Sequence, residues 1–406
     1  YNEMKGAFSS PEDILDRKIL NSLFPDSTYG VESGGDPSCI PELSYEEFLD
    51  FHRTYYHPSN SYIYIYGNVD MQERLEYLDR EYLSAFDAIE VPSEIILPEK
   101  FEEMHTELGK YSISTADSEE DNTYLSLNAA IGSSLDVRQA NAYAVIEYVL
   151  LSAPGAPLKQ ALIDAGIGKD VMGGYESGIL QPYFSVIAKD ANKEQKGEFL
   201  AIVKGTLRKL ADQGINRKSL LAGMNYFEFK YREADYGSAP KGLMYGLQCL
   251  DSWLYDGDPM THLCYQETFD FLKKEVENGY FEQLIRDYLL DNPFEAVIVV
   301  APEKNLTAKE DEKLAKKLAA YKASLSEEEL EKLVTATREL KEYQDTPSTP
   351  EILAKIPLLK REDIEKKAET FFWKEKEEGG IKVLHHNFFT SGIGYLKVLF
   401  NTEVLP

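Results

Sequence analysis

Cysteine is scarce: three in 406 residues, Cys39, Cys249 and Cys264, at spacings that make neither a disulfide framework nor a zinc knuckle. Buried free thiols are the expected state. Histidine numbers only six. His52 and His57 stand five apart, where one helical face needs three or four. His385 and His386 are adjacent, so on a strand they point to opposite faces. All four read as packing or capping residues. No apolar run reaches the length of a membrane span, so no membrane partner is expected. Positive charge is in deficit: 43 Lys and Arg stand against 70 Asp and Glu, a net charge of −27. That balance excludes nucleic acid as a partner, since phosphate binding needs a basic surface. It suits basic peptides if the carboxylates line a cavity, and otherwise it simply keeps a protein dissolved.

What is present is ordinary globular material. Hydrophobic residues make up 43% and charged residues 28% of a chain long enough for two or more cores. Ser10-Pro11-Glu12-Asp13 opens a helix: Ser10 can cap it, Pro11 suits the first position, and two carboxylates meet the positive end of the dipole. Leu15, Ile19 and Leu23 give that helix a buried face. Residues 24–41 form a Gly/Pro/Ser-rich loop. Ser44 and Glu47 make a capping box for a helix through Tyr55. Alternation over 61–66 reads as a strand, and a helix follows at about 71–85. Residues 91–100, with Pro92 and Pro98, read as a linker.

Beyond it, strands are expected at 123–131, 171–176, 183–188 and 296–301, and helices at about 137–151, 158–165, 193–212, 217–233, 243–254, 268–276 and 280–290. This is an α+β architecture, a mainly antiparallel sheet with its helices on one face. Arg232 with Glu233 and Asp235 can tie the corner after residue 233 by ion pairs. Residues 307–344 contain no glycine and two capping boxes, Thr307 with Glu310 and Ser326 with Glu329, so they read as a helical hairpin broken at Ser324. Residues 381–385 and 394–400 alternate like the two strands of a hairpin.

Three stretches carry a resemblance. Asn2-Glu3-Met4-Lys5-Gly6 with Ser9-Ser10-Pro11, then Thr28-Tyr29-Gly30-Val31-Glu32-Ser33-Gly34-Gly35-Asp36-Pro37, are similar to the insulinase (pitrilysin-type) metallopeptidases, and within them to the presequence-protease and falcilysin branch. The helix, Tyr56-His57-Pro58-Ser59-Asn60, strand, Gly67-Asn68-Val69 unit resembles the end of that family's first domain. Arg232-Glu233, Gly237, Pro240 and Gly242-Leu243 fit a stretch of the same branch. Read alone, Glu3 is a solvated carboxylate beside a helix.

The resemblance implies more. In this family an H-x-x-E-H motif supplies two zinc-binding histidines and a general base, and a glutamate further along is the third ligand. Carried over, Glu3 is that ligand. H-x-x-E-H does not occur in these residues. The expectation is therefore an internal piece of a longer zinc endopeptidase that degrades unfolded peptides in a closed chamber, inactive and without zinc by itself. The alternative is a non-catalytic scaffold or peptide-holding subunit of the same fold.

The implied partners are peptides and further domains of the same protein. The implied setting is cytoplasmic, with an organellar matrix as the alternative. The implied division is 1–90 for the end of a zinc-site domain, 91–100 for a linker, 101–303 for a second peptidase-like domain, 304–368 for a helical-hairpin linker with an extended stretch, and 369–406 for the opening hairpin of a third domain.

Overall fold

The computed structural model describes residues 1–368 and 370–403; residues 369 and 404–406, which fall in the last expected segment, lie outside them. The chain divides into two compact units, Tyr1–Leu306 and Thr307–Pro406.

The first unit opens with α1 (Asn2–Ala7) and α2 (Pro11–Leu23). The Ser10 hydroxyl accepts from the Asp13 N–H, so the cap forms where the sequence puts it. α3 (Tyr45–Tyr55) carries the complete Ser44–Glu47 capping box, and α4 (Met71–Glu81) is capped by Asp70. Between them, residues 61–66 are extended but belong to no ladder, contrary to expectation. A strand needs a neighbouring strand to satisfy its N–H and C=O groups, and no described strand lies beside this stretch.

The central sheet has the order β1-β5-β2-β4-β3. Its strands are β1 (His105–Ile113), β2 (Thr123–Ala130), β3 (Asp170–Glu176), β4 (Tyr183–Ala191) and β5 (Glu295–Lys304). β1 runs parallel to β5, and the other three pairings are antiparallel. β1 was not expected from the sequence. α5 (Val137–Glu147) and α6 (Pro157–Asp164) follow β2, and α7 (Lys196–Gln213), α8 (Arg217–Glu233), α9 (Lys241–Trp253), α10 (Tyr265–Glu275) and α11 (Tyr280–Ile285) fill the chain between β4 and β5.

Alternation in the strands builds two cores. Leu125, Leu127 and Ala129 of β2 join Phe184 and Val186 of β4 and Val297 and Val299 of β5 under the main helical layer. Tyr124 and Ala130 join Ala296, Ile298 and Val300 on the opposite face, where one helix, α2, covers them with Leu15, Ile19 and Leu23. Each of the valine, leucine, isoleucine and phenylalanine side chains among these, taken from water, contributes about 1.5–3 kcal/mol. The polar residues on that face are paired: Asn128 Nδ2 donates to the Ala296 carbonyl at 3.1 Å, and the Ser185 hydroxyl donates to Asn128 Oδ1 at 2.6 Å.

α2 is also held by polar contacts. Glu12 Oε1 accepts from Tyr124 Oη at 2.7 Å and from Lys189 Nζ at 2.6 Å, and Lys18 reaches Glu107 at 2.7 Å. The Lys189 contact, then the tyrosine, holds the Glu12 carboxyl below its usual range.

The second unit holds α12 (Leu306–Ser324) and α13 (Glu327–Asp345), joined through Leu325 and Ser326, then a short α14 (Pro350–Leu353). The Ser326–Glu329 capping box forms, and Glu312–Lys316 and Glu328–Lys332 pair at 2.7 Å. The hairpin beyond them is not the expected one. β6 (Lys374–Glu378) pairs with β7 (Ile381–His385) across Gly379 and Gly380, while 394–400 joins no ladder. Both glycines take positive φ, 59° and 80°, so the two-residue turn selects the adjacent partner.

Candidate functional site

Glu3 lies on α1 and is exposed. Its surroundings follow from the two stretches that carry the strongest resemblance, which the fold seats on each other. The Met4 thioether lies where a Cβ on Gly34 would fall, 2.6 Å from that point. Arg17 of α2 stacks its guanidinium over Phe8, 3.4 Å from the ring centre, and approaches Glu32 at 4.0 Å. Gly35 takes φ of +85°, a conformation open to glycine. Gly30 is buried with its α-hydrogen against the Phe24 carbonyl, so a methyl group there would collide with backbone.

Glu3 thus offers one carboxylate at the edge of a packed motif. Among the described residues no three His, Cys, Asp or Glu side chains converge as a ligand set. The residues present fit one ligand of a three-ligand zinc site and do not fit the whole site.

Three of the histidines have structural partners. His57 Nδ1 accepts from the Ser59 N–H at 3.1 Å and His52 stacks on Tyr56. His262, 8% exposed, places Nε2 2.9 Å from the Ser134 carbonyl oxygen. Of the cysteines only Cys249 is buried; Cys39 and Cys264 are exposed, correcting the expectation, because both occupy loop positions preceding helical turns.

At the corner after α8 the contacts of Arg232 and Asp235 are local. Arg232 pairs with Glu228 one turn back, and Asp235 accepts from the Gly237 N–H, so local helix and turn geometry claims both groups. Gly242 and Gly246, one turn apart on α9, are the seats of Tyr66 and Tyr64 from the 61–66 segment. Tyr62 packs on Trp253 farther along the same helix, ring centres 4.7 Å apart.

A second feature went unseen in the sequence. A cavity of about 320 Å³ lies between α5, β3, α8 and α9. Tyr175, Phe227 and Tyr231 give it aromatic walls; Asn141, Glu147, Gln248 and Asp251 give it polar ones. Burial, with the charge of Glu176 added, raises the Asp251 carboxyl to about 6. Burial also raises Glu147, which accepts from the Ser152 hydroxyl at 2.6 Å. The same cause lowers His262 and pushes Tyr231 up to about 12. These residues come from five separated segments, and no local motif marks them.

No helix of the described residues is long and apolar enough to cross a membrane. Residues 42–225 match the family model described as "Peptidase M16 inactive domain", and residues 300–406 match a model for the region associated with subfamily C of the same M16 peptidases. Over its whole length the chain is 44% identical to Protein HypA of Clostridium perfringens and covers 42% of that protein. It is likewise 36% identical to presequence protease 1, chloroplastic/mitochondrial, of Arabidopsis thaliana, and 27% identical to the mitochondrial presequence protease of Xenopus laevis, covering 39% of each. The chain therefore spans about two fifths of the length of these relatives.

Among solved structures, a protease from Helicobacter pylori aligns at a TM-score of 0.58 with 15% identity, covering 74% of this chain and 69% of that one. A peptidase M16 inactive domain from Pseudomonas fluorescens aligns at 0.55 with 18% identity and the same coverage. Those two likenesses concern the fold alone. With the sequence matches beside them, the chain belongs to the M16, or insulinase-type, peptidase family, and its relatives include proteins named presequence protease.

Proposed function

We propose that this chain works as part of a zinc-dependent endopeptidase that degrades unfolded peptides in an enclosed chamber. Glu3 is one zinc ligand; the remaining ligands and the general base come from outside these 406 residues. Similarity to proteins named presequence protease along the full chain supports the reading. The observation that carries it is the seating of residues 2–8 on 32–34, which fixes α1 and leaves Glu3 outward and exposed. Zinc bound by three protein ligands would activate a water for attack on a peptide carbonyl. These residues contribute a single donor to it, so the chain alone is expected to be inactive. The expected setting is cytoplasmic, with an organellar matrix as the alternative that the names of the plant and amphibian relatives give for those proteins.

The test is Glu3→Gln in the longest natural form of the protein. Zinc content at equilibrium dialysis and cleavage of a quenched peptide should both fall, with metal affinity down at least about 100-fold, more than a supporting residue would cost. Stoichiometric zinc and undiminished cleavage in that variant would remove Glu3 from the site.

A second reading has its own observation. Residues 42–225 match an inactive-domain model, so much of this chain is wall rather than catalyst. In that reading the chain holds peptide without cutting it, and a full-length protein that binds peptides but neither takes up zinc nor cleaves them would establish it.

A further inference from the structure

The cavity between α5, β3, α8 and α9 contains an acid that the peptidase reading leaves unused. Asp251 lines it and has no hydrogen bond or ion pair from any described residue. Four basic groups near these elements are engaged elsewhere, and no described basic group pairs with Asp251. Arg138 lies over Phe271 at 4.4 Å, Lys230 lies over Tyr226 at 5.6 Å, and Arg232 and Lys273 both reach Glu228. A half-buried carboxylate without a counter-ion is costly, and an incoming cation would offset that cost.

A second, independent observation concerns hydrogen bonding. Asn141 is 8% exposed and lines the same cavity. Its Nδ2 donates to the Val137 carbonyl at 2.9 Å, which fixes the amide orientation and leaves Oδ1 without a described partner. Gln248 is alike: Nε2 donates to Tyr236 Oη at 3.3 Å, and Oε1 has no described partner. The unpartnered atoms of Asp251, Asn141 and Gln248 are acceptors, and the hydroxyls of Tyr175 and Tyr231, also without a described partner, can accept as well as donate. A ligand that satisfies them must be rich in N–H donors and positively charged, and a guanidinium has five such donors. The faces of Tyr175, Phe227 and Tyr231 suit a flat cation as well. The volume, about 320 Å³, sits at the small end of ligand cavities, the size for one side chain rather than a folded partner.

We propose that this cavity binds the guanidinium or ammonium group of an arginine or lysine side chain on a bound peptide, with Asp251 as the ionic partner and Asn141 and Gln248 as acceptors. The proposal rests on the reading of the protein as one that takes up peptides. It adds a point at which the peptide's side chains are selected, set on the domain that carries no catalytic group.

Binding is measured by fluorescence anisotropy on the full protein. The probes are a labelled unstructured peptide with one arginine, the same peptide with neutral citrulline in its place, and, as a small competitor, N-acetyl-arginine amide. The arginine peptide should bind at least about 10-fold more tightly than the citrulline peptide. Asp251→Asn should erase that preference while thermal unfolding shows the variant folded. Ala144→Phe, which narrows the cavity without touching charge, should weaken the arginine peptide and spare the other. Equal binding of both peptides to the unmodified protein, or a preference that survives Asp251→Asn, overturns the proposal. Uptake of the small amide in an Asp251-dependent way, with neither peptide bound, overturns the peptide as the source of the cation. If nothing binds, the cation site itself is overturned, while cleavage by the longer protein is still decided separately at Glu3.

Discussion

The two units of this chain are stabilised by different means. The first has two apolar layers on a five-stranded sheet, with side chains such as Phe199, Phe281 and Phe294 at 1% exposure or less. The second buries no residue in α12, α13, β6 or β7. Its order comes from the Ser326 capping box, ion pairs spaced one turn apart, and a glycine turn. Such local terms contribute a few tenths to about 1 kcal/mol each, far less than a packed core. One region is a domain in the thermodynamic sense, and the other has secondary structure without an interior. Apolar residues left outward there, such as Leu318, Tyr321 and Leu340, are spaced for helical faces that no described contact buries.

Substitutions sharpen that contrast. Phe199→Ala should lower unfolding free energy by about 3–5 kcal/mol, read in denaturant titration, while Leu340→Ala on α13 should change it by less than about 0.5 kcal/mol. Comparable losses at the two positions would break the distinction.

Ion pairs make a second, smaller test. Lys204 reaches Glu295 at 2.5 and 2.7 Å, and the Glu295 side chain is only 5% exposed. Lys204→Met strands that carboxylate, which burial already raises, and should cost about 3 kcal/mol. The equivalent change at Lys332, whose pair with Glu328 is mostly solvated, should cost about 0.3–0.5 kcal/mol.

A third effect depends on pH. The Asp251 carboxyl is raised to about 6, above its unfolded value, so its contribution is fully present below about pH 4 and is lost as pH rises through 6. Asp251→Asn should therefore leave the melting temperature unchanged at pH 4 and raise it at pH 8. After allowance for partial solvent screening the gain is about 1 kcal/mol, or roughly 2–4 °C. A gain at pH 4 equal to that at pH 8 would show that Asp251 is not penalised as an ion.

Much of the first unit was legible in the sequence because local signals and tertiary demands agree there. Ser10, Pro11 and the apolar spacing of 15, 19 and 23 mark α2, and alternation marks β2, β4 and β5. β1 was not legible. Its sequence carries charges and Gly109, and only two of its residues are buried. Gly109 has a tertiary reason, since a Cβ there would press on Val300 at 3.2 Å and fill the space used by Ile14 and Lys18 of α2.

Residues 61–66 failed in the opposite way: the alternation is real, yet alternation specifies a face and not a partner strand. Glu3 was singled out by resemblance alone, as nothing in its spacing distinguishes it from a solvated acid. Asp251 and Asn141, 110 positions apart by their numbers, meet only after the sheet and helices form.

The triad of Glu12, Tyr124 and Lys189 has a consequence for how the backbone could be cut. Between α2 and the sheet it covers lie residues 24–104, of which 86–104 hold no helix or strand. Its apolar stripe and its carboxylate are nonetheless fastened to strands beyond that stretch. A single protease nick there would leave two pieces that stay together through elution from a sizing column and part only in denaturant. The covalent connection is dispensable once the halves have found each other.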